Sequence, residues 1–245
     1  MLRLVHYPPG HHQPKHVHGE VSLSLLLDGG LTEKVGRREV GARPGQWCHK
    51  AAGVDHATSF GPVGATTLQL VVPELSALRP GLSWRWGFDA PVTQLMWSLL
   101  GARPAASGGE WLDDLAALLA PPEEDHRVPP WWPRAHEALC DASVSIASIA
   151  ADCGVHRAQL VRVTQRLAGC SPTVLRQRAR LGRCLARLSS EPDLALSQVA
   201  LTAGFADQAH FSRACRRWLG QAPGRWRRTW LAPHATTPVP SCAGR

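Results

Sequence analysis

The sequence predicts an α+β fold: a β-rich N-terminal half built as a small barrel, two helices, then an all-α C-terminal domain with two helix-turn-helix units. Three observations predict it. One supersecondary pattern occurs twice in the C-terminal half, at an offset of about fifty residues. The excess of positive charge sits in that same half. Short apolar runs separated by glycine and proline turns fill the first third of the chain.

In chain order, Val21–Leu27 is a strongly apolar run, and Asp28-Gly29-Gly30 reads as the turn that ends it. Leu31–Val35 and Arg37–Val40 bracket Gly36 as a hairpin. Arg43-Pro44-Gly45-Gln46 is a second turn, Trp47–His49 a short strand and Ala65–Val72 a final apolar strand. Strands at this spacing suggest a small barrel or sandwich. Trp84 and Trp86 flank an arginine and read as core or as pocket wall. Ala90–Leu100 and Glu110–Ala120 carry apolar stripes at helical spacing, Leu95, Trp97, Leu99 and Leu100 on the first. Residues 123–133 are proline-rich and read as a stiff linker. The tail, 232–245, is expected to be disordered. The predicted division is therefore 1–122, the linker 123–133, an all-α domain over 134–231, and the tail 232–245.

The first C-terminal unit runs from Ser145 to Pro172. Ile146, Ile149 and Ala150 give a short helix its apolar face, and Cys153-Gly154-Val155 make the turn. A second helix opens at His156 and buries Leu160, Val163 and Leu167, leaving Arg157, Val161, Arg162, Thr164 and Gln165 pointing elsewhere. The second unit repeats this. Val199-Ala200 matches Ile149-Ala150, Gly204-Phe205 matches Gly154-Val155, and Gly220 to Pro223 matches Gly169 to Pro172. Its second helix opens at Asp207 and carries Gln208, His210, Ser212, Arg213, Arg216 and Arg217. A helix-turn-helix with a basic second helix is a device for placing side chains in a DNA major groove. Residues 134–230 hold fifteen Arg against six acids, whereas 1–133 hold eleven basic residues against thirteen acids. Such a local excess suits a polyanion.

These paired units resemble the DNA-binding domain of AraC/XylS-type transcription regulators, through Ile149, Ala150, Gly154, Leu160, Arg162, Gly169, Ser171, Pro172, Arg180, Ala200, Gly204, Phe205, Asp207, Phe211, Ser212, Arg213, Gly220 and Pro223. Two features depart from the family pattern. Its usual Phe is Thr164 in the first unit and Cys215 in the second, and its usual Ser cap is His156, a poorer acceptor. The resemblance implies a bacterial, sequence-specific regulator on promoter DNA, with RNA polymerase and a second copy of the chain as possible partners. It also implies a dimerisation face on the two central helices, which could equally cap the barrel or serve both roles. Asp207 reads as the helix cap. Gln208, Ala209, Ser212 and Arg213 read as the base-contacting face, with Ala158, Val161 and Arg162 as its equivalents. Arg157 and Arg217 read as phosphate contacts, and Arg176, Arg178, Arg216, Arg225 and Arg227 as backbone contacts or solvated faces. A rigid linking helix would set the two units in successive major grooves, about 34 Å apart.

The order His16-x-His18, a strand, two turns and a later His56 resembles a cupin barrel. That resemblance implies a sensor pocket walled by His16, His18 and His56. Metal-dependent cupins use such histidines with a carboxylate, here Glu20, which follows His18 sooner than the pattern places it. A pocket for an organic effector is the reading taken, with no metal and no cofactor assigned. The alternative is a metal-dependent cupin enzyme with an appended nucleic-acid-binding domain. No Ser/His/Asp set, P-loop or carboxylate pair supports catalysis, so the chain is read as not an enzyme. No apolar run approaches the ~18 residues of a membrane span, and no signal peptide is evident. Seven scattered cysteines suit a reduced, cytoplasmic protein.

Overall fold

The computed structural model describes residues 1–72, 84–88, 90–102, 128–141 and 143–231. Its N-terminal part is one antiparallel sheet of β1 (Leu2–Tyr7), β2 (His12–His16), β3 (Val21–Val35), β4 (Arg38–Ala42), β5 (Trp47–Lys50), β6 (His56–Val72) and β7 (Trp84–Gly87). The main strand order is β1-β6-β3-β5-β7, with β2 added to β6 and β4 to β3. Both long strands serve two halves of the sheet. β3 pairs with β5 over Ser22–Leu25 and with β4 over Leu31–Val35. β6 pairs with β2 near His56–Ser59 and with β1 over Ala65–Leu70. Side chains from both halves face one cavity, so the sheet curls into a small, partly open barrel.

Asp28-Gly29-Gly30 does not end a strand, contrary to the expectation. β3 runs through it, with register shifts between Leu26 and Asp28 and between Gly29 and Leu31. Gly29 has φ +80°, and a Cβ there would lie 2.1 Å from the Gly64 carbonyl oxygen. Gly64, with φ +73°, sits across from it in β6. Two facing glycines bend both strands at once, as β-bulges do in barrel walls. Ala65–Val72 is likewise not the final strand. It is the second half of β6, and β7 follows.

Alternation decides what the barrel holds. Ser22, Ser24, Thr67 and Gln69 face the cavity, while Leu23, Leu25, Leu27, Leu68 and Leu70 face outward into the largest apolar cluster. A polar interior beneath an apolar outer face requires a covering layer. Helices provide it: α1 (Ala90–Ala102), α2 (Trp132–Asp141), α3 (Ile146–Asp152), α4 (Arg157–Ala168), α5 (Pro172–Ser190), α6 (Leu196–Thr202), α7 (Gln208–Leu219) and α8 (Pro223–Leu231). Leu181, Leu185 and Leu188 of α5 and Val92, Met96 and Leu100 of α1 belong to the same cluster as the sheet leucines. At the closest approach, a Cβ on Gly182 would lie 2.2 Å from the Leu27 carbonyl oxygen.

The expected repeat is present in detail. Val155 N donates to Ala150 O and Phe205 N to Ala200 O, both at 3.0 Å. Gly169 and Gly220 end α4 and α7 in the left-handed region, at φ +64° and +66°. The α1 stripe, expected to cap the barrel or form a dimer face, joins the cluster that covers the sheet and also packs against α4 and α7. Gln94 Nε2 donates to Gly169 O at 3.1 Å, and Gln221 Nε2 donates to Gly101 O at 3.2 Å. One helix thus touches the C-terminal ends of both α4 and α7. The Glu110–Ala120 helix, the linker before Val128 and the 232–245 tail lie outside the described residues. Among the described residues no helix is long and apolar enough to cross a membrane.

His136 on α2 is 1% exposed and packs edge-on against Phe88 at 4.9 Å. Burial, with a contribution from the Arg43 charge, lowers its pKa from 6.5 to about 4. The unfolded chain therefore binds a proton between these values that the folded chain refuses, so stability falls as pH drops from 6.5 to 4. The expected loss by pH 4 is about 3 kcal/mol. Urea denaturation at pH 7, 5.5 and 4 checks this, and His136→Phe is expected to flatten the profile in that window.

Candidate DNA interface and barrel pocket

Each reading helix is fixed at its start by a side chain that accepts orphan backbone N–H groups. Asp207 Oδ1 accepts from His210 N at 2.6 Å, as predicted. His156 also caps, its Nδ1 accepting from Ala158 N at 3.2 Å. The substitution of Ser by His therefore does not leave α4 uncapped.

On α7, Phe211, Cys215 and Leu219 are buried at i, i+4 spacing. Gln208, Ala209, Arg213, Arg216 and Arg217 are exposed, and Ser212 is half-buried. On α4, Leu160, Val163 and Leu167 are buried, while Arg157, Ala158, Val161 and Arg162 are exposed. The sequence-predicted contact residues therefore fall on two matching faces: Arg157 with Gln208, Ala158 with Ala209, Val161 with Ser212, and Arg162 with Arg213. None of Arg157, Arg162 and Arg213 forms an ion pair among the described residues. Arg217 lies over the Trp218 ring at 5.3 Å.

Three positions differ from expectation. Thr164 points inward, fully buried, because its hydroxyl finds a partner on its own helix, donating to Leu160 O at 2.7 Å. Arg178 is 9% exposed and lies between Trp97 and Trp218, at 5.9 and 5.1 Å from their ring centres, so it is not on a solvated face. Arg227 Nη1 donates to Pro192 O and Leu194 O at 3.2 and 3.0 Å, tying α8 to the loop before α6.

The barrel cavity, about 80 Å³, brings His16, His18 and His56 together as expected. His16 and His18 meet Nε2 to Nε2 at 3.1 Å, and the His16 and His56 rings lie 4.3 Å apart. His16 Nδ1 bonds to Pro14 O at 2.7 Å and His56 Nδ1 to Val54 O at 3.0 Å. A carbonyl only accepts, so both rings donate from Nδ1, which leaves each Nε2 for the cavity side. Burial, then the neighbouring His16 and His56, lowers the His18 pKa to about 4. Burial, and then the Lys50 charge, also lowers that of His56. Three imidazoles gathered in this way are a nitrogen donor set that could hold a metal ion. Glu20, the expected carboxylate, is exposed and lines the same cavity but is not part of the tight histidine cluster.

Sequence reasoning missed the pocket's most tightly held group, Glu33. It is 3% exposed and accepts from Lys50 Nζ, from Trp84 Nε1 at 2.5 Å and from Trp86 Nε1 at 2.8 Å. Burial works to raise its pKa, but the Lys50 charge and these hydrogen bonds outweigh it and hold the carboxyl below its usual value. The signal available was β-alternation through Leu31, Glu33 and Val35, which places a carboxylate on an otherwise apolar face.

The family described as "Helix-turn-helix domain" matches residues 149–229. The C-terminal domain is a helix-turn-helix domain of the AraC type. Among curated relatives, the regulator VirS of Mycobacterium tuberculosis is 43% identical over 42 residues, 17% of this chain. The match spans 12% of that relative's own length. Among solved structures, ToxT from Vibrio cholerae aligns over 95% of this chain and 99% of its own, with 8% identity and a TM-score of 0.41. The C-terminal domain of AraT, a response regulator from Geobacillus stearothermophilus, aligns over 47% of this chain and 98% of its own at 24% identity and TM-score 0.40. An AraC-type regulator from Chromobacterium violaceum aligns over 42% of this chain and 95% of its own at 26% identity and TM-score 0.39. The AraC-type domain rests on the residues of the repeat and on the family match.

Proposed function

We propose that this chain is a bacterial transcription regulator that reads promoter DNA with α4 and α7 and holds a small polar effector in its barrel. The observation that carries the reading is the pair of equivalent capped helices, each with an exposed arginine, Arg162 and Arg213, at the same position. Arginine can bond guanine bidentately in the major groove, worth about 1–3 kcal/mol of discrimination per base pair. The effector part of the reading is supported by the polar cavity and its three histidines. Trp84 and Trp86 of β7 hold Glu33 at the cavity wall, and β7 leads into α1, which touches both reading helices. A ligand that shifts β7 therefore has a short mechanical route to both. Homodimerisation, contact with RNA polymerase and a cytoplasmic site of action belong to the same proposal. Catalysis does not, because the buried carboxylate of the cavity is already engaged by Lys50 and two indoles.

The test is DNA binding by two variants. Arg213→Ala is expected to lose about 10–100-fold in affinity for the cognate site and little on random DNA. Arg217→Ala is expected to weaken both and to reduce the salt slope by about 1. Chromatin immunoprecipitation with wild type and Arg213→Ala supplies the cognate site. Equal losses on cognate and random DNA for Arg213→Ala would remove it from base reading.

A further inference from the structure

We propose that Arg178 binds a compact monovalent anion, a halide or a carboxylate of similar size, in the cavity where the barrel, α1, α2 and α5 meet. This cavity shares no lining residue with the histidine cavity inside the barrel. The site therefore does not depend on the reading of the barrel or of the DNA interface.

Arg178 on α5 is 9% exposed. Its Nε and Nη1 are buried without a hydrogen-bond partner, and it forms no ion pair among the described residues. A buried cation lacking a counter-charge is costly, and folded proteins pair or hydrogen-bond such groups. Trp97 and Trp218 attract the charge through their ring faces, at 5.9 and 5.1 Å. A ring face offers no lone pair to Nε–H or Nη1–H. Neighbouring Cys170 supplies no negative charge either, because burial raises its pKa and keeps it a neutral thiol.

Other donors share the cavity. Thr93 lies one turn before Trp97 on α1, and its Oγ1 is buried without a partner. His136 lines the cavity as a neutral ring, so it brings an N–H and no charge. No Asp or Glu is among the lining residues. A guanidinium, a hydroxyl and an imidazole thus surround a space without an anionic acceptor of the protein's own. Size and walls narrow the ligand. The cavity is about 20 Å³, and a water needs about 10–15 Å³, so one ion of halide size fits. Leu27, Phe88 and Leu175 make the rest of the wall apolar, which disfavours strongly hydrated, doubly charged anions such as sulfate. An anion there would tie α5 to α1 and to the turn at Pro44-Gly45.

The test uses the full-length protein in sodium gluconate, an anion too large for the cavity, exchanged stepwise for sodium chloride at constant ionic strength. Tm is expected to rise by about 3–5 °C per tenfold increase in chloride once the site fills. The chloride NMR line is expected to broaden beyond the width of the free ion. Arg178→Met, which keeps the volume and removes the charge, is expected to lose both responses. Thr93→Val is expected to weaken chloride binding about 10-fold. It is nearly isosteric, so it serves even if Arg178→Met fails to fold. Arg187→Gln, which removes an exposed arginine of the same helix paired with Glu191, is expected to keep both responses. Sodium formate separates the two sources: a Tm rise matching that of chloride assigns small carboxylates to the site, and no rise assigns it to halides alone. Wild-type Tm and line width indifferent to chloride, or responses undiminished in whichever of the two cavity variants folds, overturn the site. No DNA enters the measurement, so its failure is separate from a failure of Arg213 to read bases.

Discussion

Glu33→Ala is expected to destabilise the protein by about 3–5 kcal/mol, the largest effect of any single truncation in the barrel. The carboxylate is the common acceptor for Lys50 Nζ and the indole N–H groups of Trp84 and Trp86, and Thr58 Oγ1 approaches at 3.5 Å. Removing it leaves an ammonium only 13% exposed without its counter-charge, together with two indoles that lose their acceptor. The cost comes from these orphans more than from the lost pair. Glu33→Gln keeps one acceptor oxygen for the indoles but not the charge, and is expected to fall between alanine and wild type. Urea denaturation at pH 7 measures both. A loss below about 1 kcal/mol for Glu33→Ala would mean that water replaces the carboxylate freely. Because the carboxyl pKa is held below its usual 4.5, this contribution is present above that value and fades as pH falls beneath it.

Gly182→Ala is expected to cost about 1–3 kcal/mol, lowering Tm by roughly 2–12 °C. The added methyl would stand 2.2 Å from the Leu27 carbonyl oxygen, a backbone atom in the bent strand β3. No side chain can rotate out of the way, so α5 must lift from the sheet. That separation loosens Leu181 and Leu185, fully buried beside Leu25 and Leu27. Gly224→Ala in the first turn of α8 is the control. Its Cβ meets nothing closer than 3.9 Å, so helix propensity alone favours alanine there, by up to about 1 kcal/mol. The same substitution thus carries opposite signs at two helical glycines. Calorimetry on both variants decides it, and equal Tm changes would refute the close-contact account.

By itself the sequence determined the parts that are local. The two reading helices, their turns at Gly154 and Gly204, the cap Asp207 and the stops at Gly169 and Gly220 all depend on residues within three or four positions of each other, and all were legible. So were the Gly36 hairpin and the gathering of His16, His18 and His56. Only the tertiary structure decided the rest. Asp28-Gly29-Gly30 carries a turn composition, but its meaning depends on Gly64, which faces it from another strand. Glu33 becomes the pocket's anchor only because Trp84 and Trp86 arrive from over fifty positions away. Arg178 looks like any arginine of a basic helix until Trp97 and Trp218 close over it. The α1 stripe shows that a face must be buried and points to the barrel, but its further partners α4 and α7 lie far along the chain. Short-range hydrogen bonding and periodicity are written in neighbouring residues. Burial and charge pairing are set by which distant segments meet.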